Sequence, residues 1–366
     1  MNSIAKAPRG FTVTWALIAF TLLNIASLSA ASSESQIVSR EIRSEKIACN
    51  KIGSNPVRQM AIYLPAIYNE SSQRFPVIYY LPTPFSNYRT IFDQRAGRAL
   101  FDQAIAKGTI EPFILVTVDL TTPIGCSWYV NSPATGNWED FVVQELVPYI
   151  DASFKTIPTR DSRGIAGDFM GGYGAIRFGM KYPQVFGSVY ALHPVGTGSG
   201  VQTMASRPVW DVLINAKTLN GATHDGFSQI FTAIFQAHLP NPDKPPLYID
   251  IPVHKVGDQF MIDTQLTEKL RSHFLLETLI PQYADNLKSL RGFKFDWSRS
   301  DVNEDHIYSN QAFTHKLNEF GIPHEAEEYN GVQGDPNWGQ DGRIMTDLIP
   351  FFQRHLVFAA APPSHE

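Results

Sequence analysis

The chain has 366 residues, 43% hydrophobic and 18% charged, with a net charge of −5 and a pI near 6.1. That balance suits an ordinary globular protein of enzyme size, built as one large domain or two small ones. The acidic balance and the lack of any Lys/Arg-rich run exclude the electrostatic footprint of a nucleic-acid binder.

The N-terminus reads as a targeting segment. Lys6 and Arg9 make a basic start, Phe11 to Ala26 is mostly apolar, and Ser29, Ala30 and Ala31 offer small residues for cleavage. The apolar run holds Thr12, Thr14, Thr21 and Asn24 and is short for an uncleaved membrane anchor. The expectation is a signal peptide over 1–31, a secreted or periplasmic mature protein, and no transmembrane segment after cleavage. Residues 32–44 are polar and read as a loose leader, 45–358 as one catalytic-size domain, and 359–366 as a disordered tail. Cys49 and Cys126 lack CxxC spacing; in an exported chain they suit either one disulfide or two unpaired thiols.

Within the body, Val57 to Leu64 alternates as a strand does. Phe75 to Leu81 and Pro112 to Asp119 are short continuous apolar runs, as expected of strands buried on both faces. Arg98 to Lys107 and Trp138 to Phe154 carry helical spacing, the second with Glu139 and Asp140 at its start. A short strand at Arg163 to Ala166, a helix from Gly171 to Tyr182 and a strand from Phe186 to Leu192 follow. The stretch from Gly196 to Pro246 is irregular and reads as an inserted helical cap or long loops. Leu247 to Val253 and Phe293 to Trp297 read as strands, Gln311 to Phe320 as a helix, His324 to Tyr329 as the last strand and Thr346 to Phe358 as the last helix. Strands alternating with helices imply an α/β class protein with a doubly wound, mostly parallel sheet.

Three stretches carry a resemblance. Asn137-Trp138-Glu139-Asp140-Phe141 with Glu145 to Asp151, then Arg163 to Gly167 with Met170 to Ala175, then Asn318 to His324, resemble the esterase family of α/β-hydrolases. That family includes esterase D-like enzymes, feruloyl esterases, enterochelin esterases and mycolyltransferases. The likeness runs from about Pro76 to Leu356 and implies an α/β-hydrolase fold. It also implies a serine nucleophile at the centre of a Gly-x-Ser-x-Gly elbow, a histidine base, an acid and backbone oxyanion donors.

The chain departs from that pattern at three loops. Gly167 and Gly171 flank Phe169, so a phenyl ring stands where the serine belongs. Asp168 is not a substitute centre, because its neighbours two positions away are Ala166 and Met170. In the loop after the last strand, Gln333 takes the histidine's expected place, and an amide is no general base near neutral pH. The first oxyanion loop has Pro82-Thr83-Pro84 in place of His-Gly, and proline supplies no N–H. The N–H of Met170 remains as the second donor. The acid position falls on Asp305, with Asp301 second; His324 and His355 read as structural or exposed.

These losses imply a pseudo-esterase that binds a small-molecule or carbohydrate-like ligand, or a partner, in a pocket formed by Phe169, Met170, Gly171, Trp138, Gln333 and Trp338. The same aromatics also suit ordinary core packing. No cofactor and no metal is implied, and the oligomeric state is left open. Two alternatives stand beside this. One is acid/base or metal-assisted chemistry by Asp168, His193 and Asp305 at the sheet's C-terminal edge, with His254 and Asp258 a weaker pair. The other is a residual esterase for carbohydrate or phenolic esters, with Ser199 as the remaining glycine-flanked serine.

Overall fold

A computed structural model describes residues 34–83, 86–199, 207–332 and 337–358. The segment expected to be a signal peptide, Pro84, Gln333 and the expected C-terminal tail therefore lie outside the described residues. Eight strands form the central sheet: β1 (Gln36–Arg43), β2 (Val57–Leu64), β3 (Val77–Leu81), β4 (Ile114–Val118), β5 (Arg163–Asp168), β6 (Ser188–Leu192), β7 (Gly292–Ser298) and β8 (Glu325–Tyr329). Their spatial order is β1-β2-β4-β3-β5-β6-β7-β8. The first two pairings are antiparallel and the rest parallel.

The inner strands are buried throughout, which is why β3, β4 and β6 read as unbroken apolar runs. Alternate side chains enter two apolar layers. Tyr79, Ile165, Val189 and Phe295 face one; Ile78, Tyr80, Leu115 and Tyr190 face the other. The polar segment read as a loose leader forms edge strand β1, paired along β2 from Gln36–Leu64 to Arg43–Val57. Its Ile37, Val38 and Ile42 pack on the core, while its polar residues face water, as an edge strand requires. The sheet thus begins nine residues before the expected boundary at 45 (45 − 36).

The helices that position the site are α1 (Gly97–Ala106), α2 (Met170–Lys181), α3 (Gly226–His238), α4 (Thr264–Phe274), α5 (Leu276–Lys288) and α6 (Glu304–Glu319). The last runs seven residues further towards the N-terminus than its apolar spacing predicts (311 − 304), because Glu304 and Asp305 favour the helix start. The expected strand over Leu247 to Val253 does not join the main sheet. Pro245, Pro246 and Pro252 remove donors there; only Ile249 bridges Pro240, and Val253–Val256 pairs with Gln259–Ile262 in an exposed hairpin. Cys49 is exposed and Cys126 buried, and both are free thiols. Among the described residues no helix is long and apolar enough to cross a membrane.

Candidate functional site

The turn from β5 into α2 is the elbow that the glycine spacing predicts. Phe169 sits at its apex with φ 58° and ψ −111°, outside the regions that side chains favour. Its N–H donates to Leu192 O at 2.9 Å. A Cβ on Gly167 would fall 2.3 Å from the backbone of Gly171, and one on Gly171 would fall 2.1 Å from Leu81 O. Only glycine fits at either position, so the elbow backbone is intact although its centre is phenylalanine. Met170 opens α2, so its N–H has no intrahelical acceptor. Pro82 is held by the Tyr129 hydroxyl, which donates to its carbonyl at 2.5 Å.

The loop from β7 into α6 brings three side chains together. Oδ2 of Asp301 accepts from Nε2 of His193 at 2.6 Å and from Nδ1 of His306 at 2.7 Å. Oδ1 accepts from the Asn303 N–H at 2.8 Å. Burial would raise this carboxyl, but the bonds from His193, His306 and Asn303 outweigh it and hold Asp301 well below the usual carboxylate range. Asp301 is therefore ionised near neutrality.

The tautomers follow from these partners. Nδ1 of His193 accepts the N–H of Ser298 at 3.1 Å, so its proton lies on Nε2 and points at Asp301. Both nitrogens of this buried ring are occupied, and it is not a free base. The ligand atoms of His193, Asp301 and His306 lie within 4.8 Å of one another, as a metal site would need. A cation would take the Nε2 lone pair of His193 and force a proton onto Nδ1, against the Ser298 N–H. The arrangement suits hydrogen bonding better than ligation. His306 differs: its Nδ1–H is spent on Asp301, and among the described residues nothing bonds its Nε2.

A cavity of about 340 Å³ opens between the strand ends and α3, α4 and α6. Phe169, Met170, Asp305 and His306 line one part of it; Trp128, Trp210, Phe231 and Phe274 form an aromatic wall. The Phe169 ring meets His306 edge to face at 5.3 Å and lies nearly parallel to His193 at 6.3 Å.

The expected residues are distributed as follows. Met170 and Asp305 reach the cavity, but Asp301, not Asp305, bonds the histidines, because the carboxylate must precede α6 to face both. Asp168 is half-buried at the end of β5, outside the cavity lining; desolvation pushes its carboxyl up to about 6 against the opposing pull of His193. The grouping of Asp168, His193 and Asp305 is thus replaced by His193, Asp301 and His306. Trp138 is core, its Nε1 donating to Thr135 O at 3.2 Å, and Trp338 packs on Tyr80 and Phe101 in the other layer. Neither lines the cavity, nor do Gly171, Pro82 or Thr83. His254 and Asp258 lie exposed on and beside the outer hairpin, and Ser199 lines the cavity with its hydroxyl bonded to Glu277. His306 was not among the histidines that the sequence pattern singled out, because it lies in the first turns of α6 and not in a loop after a strand. Its signal was Asp301 followed five residues later by a histidine in the first turns of a helix.

The sheet order and the elbow define an α/β-hydrolase fold. Residues 54–231 match the model of the family described as Putative esterase. It is similar to Esterase Rv1288 of Mycobacterium tuberculosis (strain H37Rv), 28% identical over 276 residues, covering 74% of this chain and 51% of that one. The chain thus spans about half the length of the curated relatives it matches first. Among solved structures it resembles a ferulic acid esterase (TM-score 0.61, 19% identity, 88% of this chain and 98% of that one). It also resembles an S-formylglutathione hydrolase from Agrobacterium tumefaciens (TM-score 0.58, 14% identity, 88% and 96%). At such identities these two establish the fold alone.

Proposed function

We propose that this chain is an exported, ligand-binding member of its family in which serine hydrolysis has been replaced by binding. The observation that carries the reading is Phe169 at the elbow apex, its ring lying against His306 where a nucleophile's hydroxyl would meet a base. Backbone strain supports a retained site. Of the six described non-glycine residues with positive φ, four surround it: Trp128, Tyr129, Phe169 and His193. Each such conformation costs about 1–3 kcal/mol and persists where its surroundings enforce it. The aromatic wall suits an apolar or ring-bearing ligand. Export rests on the N-terminal pattern, and N-terminal sequencing of the mature protein checks for cleavage near Ala31.

The test of function uses p-nitrophenyl acetate and a feruloyl ester, with a serine-directed fluorophosphonate probe. The expected result is neither turnover nor labelling, with thermal shifts on adding small aromatic ligands. Covalent labelling of any serine overturns the reading. Turnover without labelling, lost in His306→Ala, would instead favour water-based acid/base chemistry by Asp301 and His306.

A further inference from the structure

We infer that the cavity takes a neutral ligand with an apolar body and a hydroxyl group, and that the hydroxyl donates to Nε2 of His306. This deepens the binding reading above and rests on it.

The bonds of Asp301 fix the polarity of this nitrogen. Its Oδ2 holds the Nδ1 proton of His306, so a neutral His306 ring presents a lone pair at Nε2. The side chain is 16% exposed and lines the cavity, and among the described residues no donor reaches Nε2. Trp128, in the aromatic wall, supplies a second unmet polar atom: its Nε1–H is buried and has no acceptor among the described residues. The cavity lining is therefore largely apolar but includes the open His306 acceptor and the buried Trp128 donor. A hydrocarbon would leave both unmet, whereas a ligand bearing oxygen can meet them.

Charge narrows the class. Ionised Asp301 lies directly behind His306, so a carboxylate there would meet like charge. Arg271 also lines the cavity and disfavours a cation. A neutral hydroxyl donor avoids both penalties. The volume of about 340 Å³ suits one small molecule.

The experiment compares 4-ethylphenol with its methyl ether, 4-ethylanisole, on the mature full chain by isothermal titration calorimetry. The phenol is expected to bind about tenfold more tightly, as one hydrogen bond to a buried acceptor allows. The preference should vanish in His306→Phe, which keeps an aromatic edge against Phe169. In the wild type, nitrogen NMR of the imidazoles should show one Nε2 resonance moving with the phenol and not with the ether. That readout stands even where the variant does not fold. Equal binding of both probes, or a preference that survives in His306→Phe, overturns the inference and leaves the binding reading intact. No binding of either probe, with no ligand-induced thermal shift from a wider aromatic set, sinks both.

Discussion

His306 and Phe169 meet edge to face with ring centres 5.3 Å apart, and that contact fills the gap between an Asp–His pair and an intact elbow. The pair is oriented as a general base would be: Asp301 holds Nδ1 and leaves Nε2 towards the cavity. The apex residue is the element that cannot react. Placing a serine there supplies the hydroxyl while the strained turn and the Met170 N–H stay in place.

Phe169→Ser is therefore expected to gain fluorophosphonate labelling and measurable hydrolysis of p-nitrophenyl acetate. Adding His306→Ala should lower that rate by roughly a thousandfold, in line with the loss of a triad member. The substitution should cost about 1–3 kcal/mol in urea unfolding, less than deletion of a fully buried ring, because Phe169 is half-buried. Absence of labelling in a folded Phe169→Ser protein would show that His306 does not serve the elbow.

Much of this was legible in the chain. The apolar runs of β3 and β4 and the glycines at 167 and 171 follow from burial and close backbone approach, which leave strong local signatures. Strand β1 was not legible, because an edge strand with one wet face looks polar. The grouping of His193, Asp301 and His306 was not legible for a different reason. Asp301 and His193 are 108 positions apart, and which acid meets which histidine depends on where β6 and β7 end in the sheet. Trp138 and Trp338 show the converse: an aromatic beside a motif reads equally well as pocket or core, and packing decides.

The elbow glycines give a sharp prediction. Gly171→Ala puts a methyl group 2.1 Å from Leu81 O, with Pro82 O close behind, and neither is the free end of a flexible side chain. The end of β3 or the start of α2 must move. The expected result is a loss of at least about 3 kcal/mol in stability, or failure to fold, read by circular dichroism and urea denaturation. A variant within about 0.5 kcal/mol of wild type would mean the turn is looser than its geometry states.

Asp301→Ala removes the acceptor shared by two histidines and the Asn303 N–H. With Asp301 and His193 both buried, a cost of about 3–5 kcal/mol is expected at pH 7. The pH dependence follows from the lowered carboxyl. Because the folded state holds it below its unfolded value of about 3.9, its contribution is present above that pH and lost as pH falls towards the folded value. The gap between wild type and variant should therefore narrow on acidification below about pH 4. A gap that stays constant from pH 7 to pH 3 would place the role of Asp301 in packing alone.

Asp168 has the opposite sign. Its carboxyl is raised from 3.8 to about 6, chiefly by desolvation at the end of β5. Between those values the folded state holds a proton that the unfolded state has released, so stability falls as pH rises through this window. Above pH 6 this half-buried charge costs up to roughly 3 kcal/mol, from about two pKa units at 1.36 kcal/mol each. Asp168→Asn keeps the shape of the protonated acid and carries no charge. The variant should match wild type near pH 4 and exceed it by up to roughly 3 kcal/mol at pH 8. Urea unfolding at both pH values measures the difference. A variant less stable than wild type at pH 8 would mean that the Asp168 carboxylate is stabilised by His193 more than burial penalises it, and that its charge belongs to the site.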